Sequence, residues 1–247
     1  MAFRNLFRKE LKSVWPLYGV FSAAVLLMDF FLLFKRNQWD PSILTMLSLL
    51  LPYIFIATIT IGVGYYQLHA EWRSNSIYLL LSLPVRGWKV LAAKLAAMIT
   101  LLIGVMLWIG ASFSLTLLIA EWDKWRTDYD ILRFSPELAN LLLHSFWLYV
   151  SITIFAVVVV QFAFLCGQLV ARLKWLVVLI AFVTALWVTL RVSPFLSVLL
   201  SWTPDIRIGG AGQDAAFLQS GPFIVLALII VGLTWLNGYI FEREVEV

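Results

Sequence analysis

The sequence predicts an all-α integral membrane protein with six transmembrane helices. Three observations carry that expectation. Of the 247 residues, 62% are hydrophobic and 13% charged, against about 45–50% apolar and about 25% charged in an ordinary soluble domain. Several apolar runs reach the roughly 20 residues that cross a hydrocarbon core. Lysine and arginine also segregate by loop, so the net charge of +4 reads as topology rather than as a nucleic-acid footprint.

The first element is an amphipathic helix over residues 1–15. Phe3, Leu6, Phe7, Leu11, Val14 and Trp15 share one arc, while Arg4, Arg8, Lys9 and Lys12 share the other, a pattern suited to lying in the inner interface. Pro16 separates it from the first span. Glu10 falls inside the apolar arc, and it has two readings: a carboxylate paired with a nearby cation such as Arg73, or a contact to a cytoplasmic partner.

Hydropathy places the spans at about 17–34, 43–66, 95–120, 141–171, 175–192 and 222–241 in a single transmembrane domain. Asp40-Pro41 and Ser135-Pro136-Glu137 start helices, each setting an oxygen acceptor before a proline whose missing N–H costs nothing there. Between spans two and three, residues 69–88 form a helical hairpin, with Ile77 to Leu83 in the first arm, Pro84 stopping it, Gly87 in the turn and a second helix starting near Trp88 and running into span three. Leu79, Leu80, Leu81 and Leu83 have two destinations, the lipid headgroups or a groove on a soluble partner. Between spans five and six, Ser193 to Trp202 reads as a short re-entrant or interfacial helix, followed by the flexible Gly209-Gly210-Ala211-Gly212 connector.

With the N-terminus inside, most of the 18 lysines and arginines fall in inner loops, leaving Lys35, Arg36, Lys124, Arg126, Arg133, Arg191 and Arg207 outside. The expectation is a multi-pass protein of the cytoplasmic membrane with both termini cytoplasmic.

Catalytic signatures are missing from the sequence. There is no G-x-x-x-x-G-K-[ST] to hold ATP, the two histidines form no H-E-x-x-H, and the single Cys166 leaves no C-x-x-C. The chain is expected not to be an enzyme and to hold no metal or cofactor. Asp29 is the one acid within the predicted spans. It is a candidate for a translocation path, against the alternative of reaching the outer headgroups or pairing with Lys35 or Arg36. Gln161 and Gln168, seven residues apart, share a face of span four, where they either bond neighbouring helices or line a polar path.

The segment "HAEWRSNSIYLLLSLPVRGWKVLAAKL", residues 69–95, resembles the inner loop of permeases of the type-2 ATP-binding-cassette (ABC) exporter class. Glu71, Leu80, Leu81, Ser82, Leu83, Pro84 and Lys94 match its acid, leucine-rich stretch, Leu-Pro and lysine in order. "FRKELKSVW" is similar to the elbow helix of these permeases. The chain departs from the class at Ser74-Asn75-Ser76, where many relatives carry Gly-Thr, and at residues 121–140, where some carry a large outer domain.

The resemblance implies a permease subunit that dimerises, with itself or a homologous permease, and binds two separate ATPase subunits carrying ATP and Mg. In that reading the hairpin couples them, Glu71 and Arg73 giving polar contacts and Leu79, Leu80, Leu81, Leu83 and Pro84 the apolar anchor. Faces of spans one, two and five would form the substrate path, and the abundant aromatics with few intramembrane charges point to an amphipathic peptide or hydrophobic cargo. A secondary transporter and a non-transporting scaffold or sensor subunit are the alternatives.

Overall fold

The computed structural model describes residues 2–36, 38–74, 86–120, 136–170, 172–208 and 216–243. Six long helices run back and forth: α1 (Ala2–Lys35), α2 (Pro41–Arg73), α3 (Gly87–Ala120), α4 (Pro136–Gln168), α5 (Lys174–Leu199) and α6 (Gly221–Arg243). All six are long and apolar enough to cross a membrane. The protein therefore has the character of a multi-pass membrane protein. We call the end of the bundle holding the start of α1 proximal and the opposite end distal.

α3 is the most buried of the six. It packs against α1, α2 and α6, and its Met98, Leu102, Met106 and Ile109 recur at helical spacing in the core. Ile56 and Val63 of α2, Val14, Tyr18 and Val25 of α1, and Val150, Val157 and Val158 of α4 complete that core. Without a hydrophobic drive between helices in lipid, close packing and polar hooks must hold them together. Two such hooks are Tyr18 Oη donating to Thr60 Oγ1 at 2.9 Å and Tyr149 Oη donating to the Tyr53 carbonyl. At the other extreme, Ala185 is the only buried residue of α5, which packs chiefly against α4 and α6.

Three boundaries differ from the sequence expectation. The N-terminal helix is not separate: α1 continues through Pro16 without a break. A helix-interior proline forfeits a hydrogen bond at a cost of about 3 kcal/mol, but Pro16 is exposed, and Glu10, Val14, Tyr18, Val25, Asp29 and Leu32 make one buried stripe on both sides of it. That stripe keeps the two halves in line. Residues Ser193 to Trp202 likewise form no separate helix, because α5 runs through Pro194 to Leu199. Between α5 and α6 lies a two-stranded antiparallel ribbon, β1 (Ile206–Ile208) and β2 (Ala216–Leu218), with Arg207 opposite Phe217. The third difference is that α2 extends past the expected span end at 66 to Arg73, whereas α3 begins at Gly87, beside the expected start near Trp88 of a helix running into span three.

The hairpin expected over 69–88 is described only at its edges. Residues 75–85, with Leu79, Leu80, Leu81, Leu83 and Pro84, lie outside the described residues. Its far edge is firmly placed. A Cβ built on Gly238 of α6 would lie 2.5 Å from Trp88 Cβ and 2.6 Å from Trp88 Cα, and one on Gly87 would lie 2.8 Å from Glu242 Cγ. The Gly87 N–H also donates to Glu242 Oε1. Glycine at both positions lets the start of α3 approach the end of α6 backbone to backbone. Gly238→Ala should push the two apart and cost about 1–3 kcal/mol as overpacking, read as a lowered unfolding temperature in detergent.

Candidate functional site

Two polar clusters lie on the buried side of α1, one near each end. At the proximal end, Lys94 of α3 is a lysine with only 1% of its surface exposed. Its Nζ lies 2.7 Å from Glu71 Oε1 of α2 and 3.0 Å from Glu10 Oε2 of α1. Gln67, one helical turn before Glu71, donates from Nε2 to Glu10 Oε2 at 3.4 Å. Three helices are thus joined through one ammonium group.

The same cluster explains the long helices. Glu71 and Lys94 end an apolar run when hydropathy is read along the chain, yet they neutralise each other across the interface and both helices continue past them. Such a pair is costly to desolvate and depends on its partners being present. Glu10 therefore pairs with Lys94 rather than Arg73, which is exposed. Glu71 faces the interior, not the surface where a soluble partner would meet it.

Beneath this cluster sits an aromatic layer. Trp72 meets Phe164 of α4 and Phe241 of α6 edge-on, with centroids 5.5 and 5.7 Å apart. With Leu68, Leu91 and Leu165 they form a second core at the proximal end. Edge-to-face rings add attraction beyond their buried area.

The distal cluster centres on Asp29, 4% exposed. Ser48 Oγ of α2 donates to its Oδ1 at 2.9 Å, and Ser112 Oγ of α3 donates to its Oδ2. Asp29 does not reach the cations after it. Lys35 bonds Gln38 at 2.7 Å, and Arg36 bonds the Ile119 carbonyl at 3.1 Å. The carboxylate instead turns between three helices, where two hydroxyls supply the hydrogen bonds that a buried charge requires.

Gln161 and Gln168 do not come together as a path. Gln161 is buried, and its Nε2 has no partner among the described residues. Gln168 ends α4 and accepts from Lys174 Nζ at 3.2 Å across the turn into α5. Sequence reasoning missed Gln67, Ser48, Ser112 and the burial of Lys94. Their signal was faint but present: Gln67 stands four residues before Glu71, and Asp29 lies on the stripe that also contains Glu10.

Among the described residues there is no group of three or more His, Cys, Asp or Glu side chains able to hold a metal ion. No protein-family model, curated protein or solved structure matches the chain.

Proposed function

We propose that this chain is the membrane subunit of an ABC exporter, working as a dimer and driven by two separate ATPase subunits that bind ATP and Mg. The single observation that supports this most is the Glu10–Lys94–Glu71 network. Glu71 and Lys94 are the acid and the lysine that carry the resemblance, and they flank the segment assigned to coupling. A chain without a P-loop uses ATP only through a rigid contact. Here the two helices leaving that segment are bonded to each other and to α1, while the start of α3 is locked on α6 by the glycine contact. Force applied at residues 75–85 would reach four helices together.

In this reading the proximal end is cytoplasmic, as the lysine and arginine bias requires. Exposed Arg73 makes the polar contact to the ATPase and Leu79 to Leu83 the apolar one, whereas Glu71 positions the segment from within. The exposed apolar faces of α1, α2 and α5 supply surface for the second permease and for an amphipathic peptide or hydrophobic cargo. Localisation is the cytoplasmic membrane.

The test is co-purification with an ATPase encoded beside the gene. Leu83→Asp and Arg73→Glu should each reduce ATPase recovery by about tenfold, the loss expected from one buried anchor or charge pair in an interface, while leaving the unfolding temperature unchanged. Recovery unaffected by both would remove the coupling role. Asp29 with its two serines favours a second reading, a secondary transporter whose ion site is this carboxylate; transport that persists without any ATPase would select it.

A further inference from the structure

Helices α1 and α3 run in parallel, and two buried contacts fix their alignment: Glu10 meets Lys94, and Asp29 meets Ser112 83 positions on. Between those contacts, on the side that faces lipid, the helices leave an open groove of about 510 Å³, within the range of small-molecule sites. Buried Leu101 and Val105 form its back, and exposed Trp15 and Trp108 stand in its walls. Gly19 and Gly104 make it deep. A Cβ built on either would meet nothing within 4 Å, whereas glycine in a membrane bundle ordinarily serves close helix approach, as it does at Gly87 and Gly238. From Leu11 to Ser22 the groove runs about 16 Å along α1, the depth of one leaflet of a hydrocarbon core about 30 Å thick.

A cationic cluster caps its proximal end. On α1 the helical period carries the face of Trp15 back to Arg8 and Arg4, and on α3 it carries the face of Thr100 back to Lys89. All three cations are exposed, and the alignment sets Lys89 level with the turn between Arg4 and Arg8. Lys89 meets the Trp88 ring at 5.7 Å, and none of the three pairs with a carboxylate among the described residues. Glu10 lies on the opposite face of α1, committed to Lys94. The hydroxyls of the groove are committed too: Ser22 donates to the Tyr18 carbonyl and Thr100 to the Ala96 carbonyl, both at 2.8 Å. The groove thus offers hydrocarbon contact along its length and uncompensated positive charge at one end.

We propose that this groove binds an anionic phospholipid, with one acyl chain lying between Trp15 and Trp108 and the phosphate among Arg4, Arg8 and Lys89. The cluster selects net negative charge, since a zwitterionic headgroup brings an ammonium toward the same three cations. It also argues against a second copy as the occupant, because a two-fold axis along the membrane normal would crowd that copy's cations against these. This binding is independent of whether an ATPase docks at residues 75–85.

The experiment uses the full chain purified in detergent and offered equal amounts of phosphatidylglycerol and phosphatidylcholine with identical acyl chains, bound lipid being counted by native mass spectrometry. Phosphatidylglycerol should be retained over phosphatidylcholine by at least about fivefold, the effect of one cation near a membrane surface. Arg8→Gln and Lys89→Gln should each lower its retention by about the same factor, whereas Arg172→Gln, which removes an exposed cation from the turn after α4, should not. Gly104→Leu fills the groove without touching a charge, so it should abolish retention while leaving the unfolding temperature undiminished. Where Gly104→Leu does not assemble, Gly19→Leu carries the same test. Equal retention of the two lipids by the unaltered chain overturns the proposal. Anionic-lipid retention that survives the filled groove, or that falls equally in Arg172→Gln, overturns it in favour of diffuse attraction to a basic surface. A filled groove that splits a dimer and releases no lipid overturns it in favour of a second copy.

Discussion

Replacing Lys94 by methionine should cost about 3–5 kcal/mol, because it leaves Glu10 and Glu71 buried beside each other without their shared cation. For a protein of marginal stability that is a large fraction of the total. The expected result is a chain that is recovered poorly or aggregates, measured by size-exclusion chromatography and thermal unfolding in detergent. Methionine has similar length and no charge, so lost volume does not account for the effect. The decisive companion is the combined change Glu10→Gln, Glu71→Gln and Lys94→Met. A buried ion network replaced whole by neutral groups of similar shape is often as stable as the original, so the triple variant should recover most of the loss. If it does, while the response to an ATPase is lost, the charges serve coupling rather than folding. A Lys94→Met protein that unfolds at the normal temperature would mean that the network holds nothing together.

The network also marks where sequence reading stopped. Six spans were legible because an apolar run long enough to cross a bilayer leaves few alternatives. Their ends were not legible, since a charge counts as a boundary only when it reaches water. Glu71 and Lys94 reach each other instead. Glu10 was visible as an acid on the wrong arc of an amphipathic helix, and that misfit was the best available sign of an interhelical partner. Its partner could not be read from the sequence, because Lys94 is 84 positions away and only packing brings them together. Pro16 reads as a break from local backbone chemistry alone, and Ser193 to Trp202 reads as a separate helix from the length of its apolar run. In both cases packing or continuity of the apolar helix overrode a rule that holds for isolated segments.

Asp29→Leu should cost about 2–4 kcal/mol. It removes the acceptor from two buried hydroxyls, Ser48 and Ser112, each of which then bears part of an unsatisfied-donor penalty of about 1–3 kcal/mol. Asp29→Asn separates structure from function. The amide keeps an acceptor for Ser48 and can donate to the Ser112 oxygen, so unfolding should shift by less than about 1 kcal/mol, near the net worth of an ordinary hydrogen bond. The informative measurement is transport in vesicles. Normal assembly with lost transport would place the negative charge itself on the cargo or ion path. Normal assembly with normal transport would reduce Asp29 to a polar pin between α1, α2 and α3.

The sparse burial of α5 bears on how the protein meets membranes of different thickness. A helix of 26 residues is about 39 Å long, longer than a hydrocarbon core of about 30 Å. Such an excess is absorbed by tilt. With Ala185 as its only buried residue, α5 is the least enclosed of the six helices, held from one side by α4 and α6. Its angle is set in part from outside, by Trp175 at one end and by Trp202 beyond the other, residues that favour the headgroup layer. In a thin bilayer α5 leans, in a thick one it stands, and the ribbon it feeds into rises or falls with it. Bilayer thickness thereby becomes a variable that acts on one helix of this protein ahead of the other five.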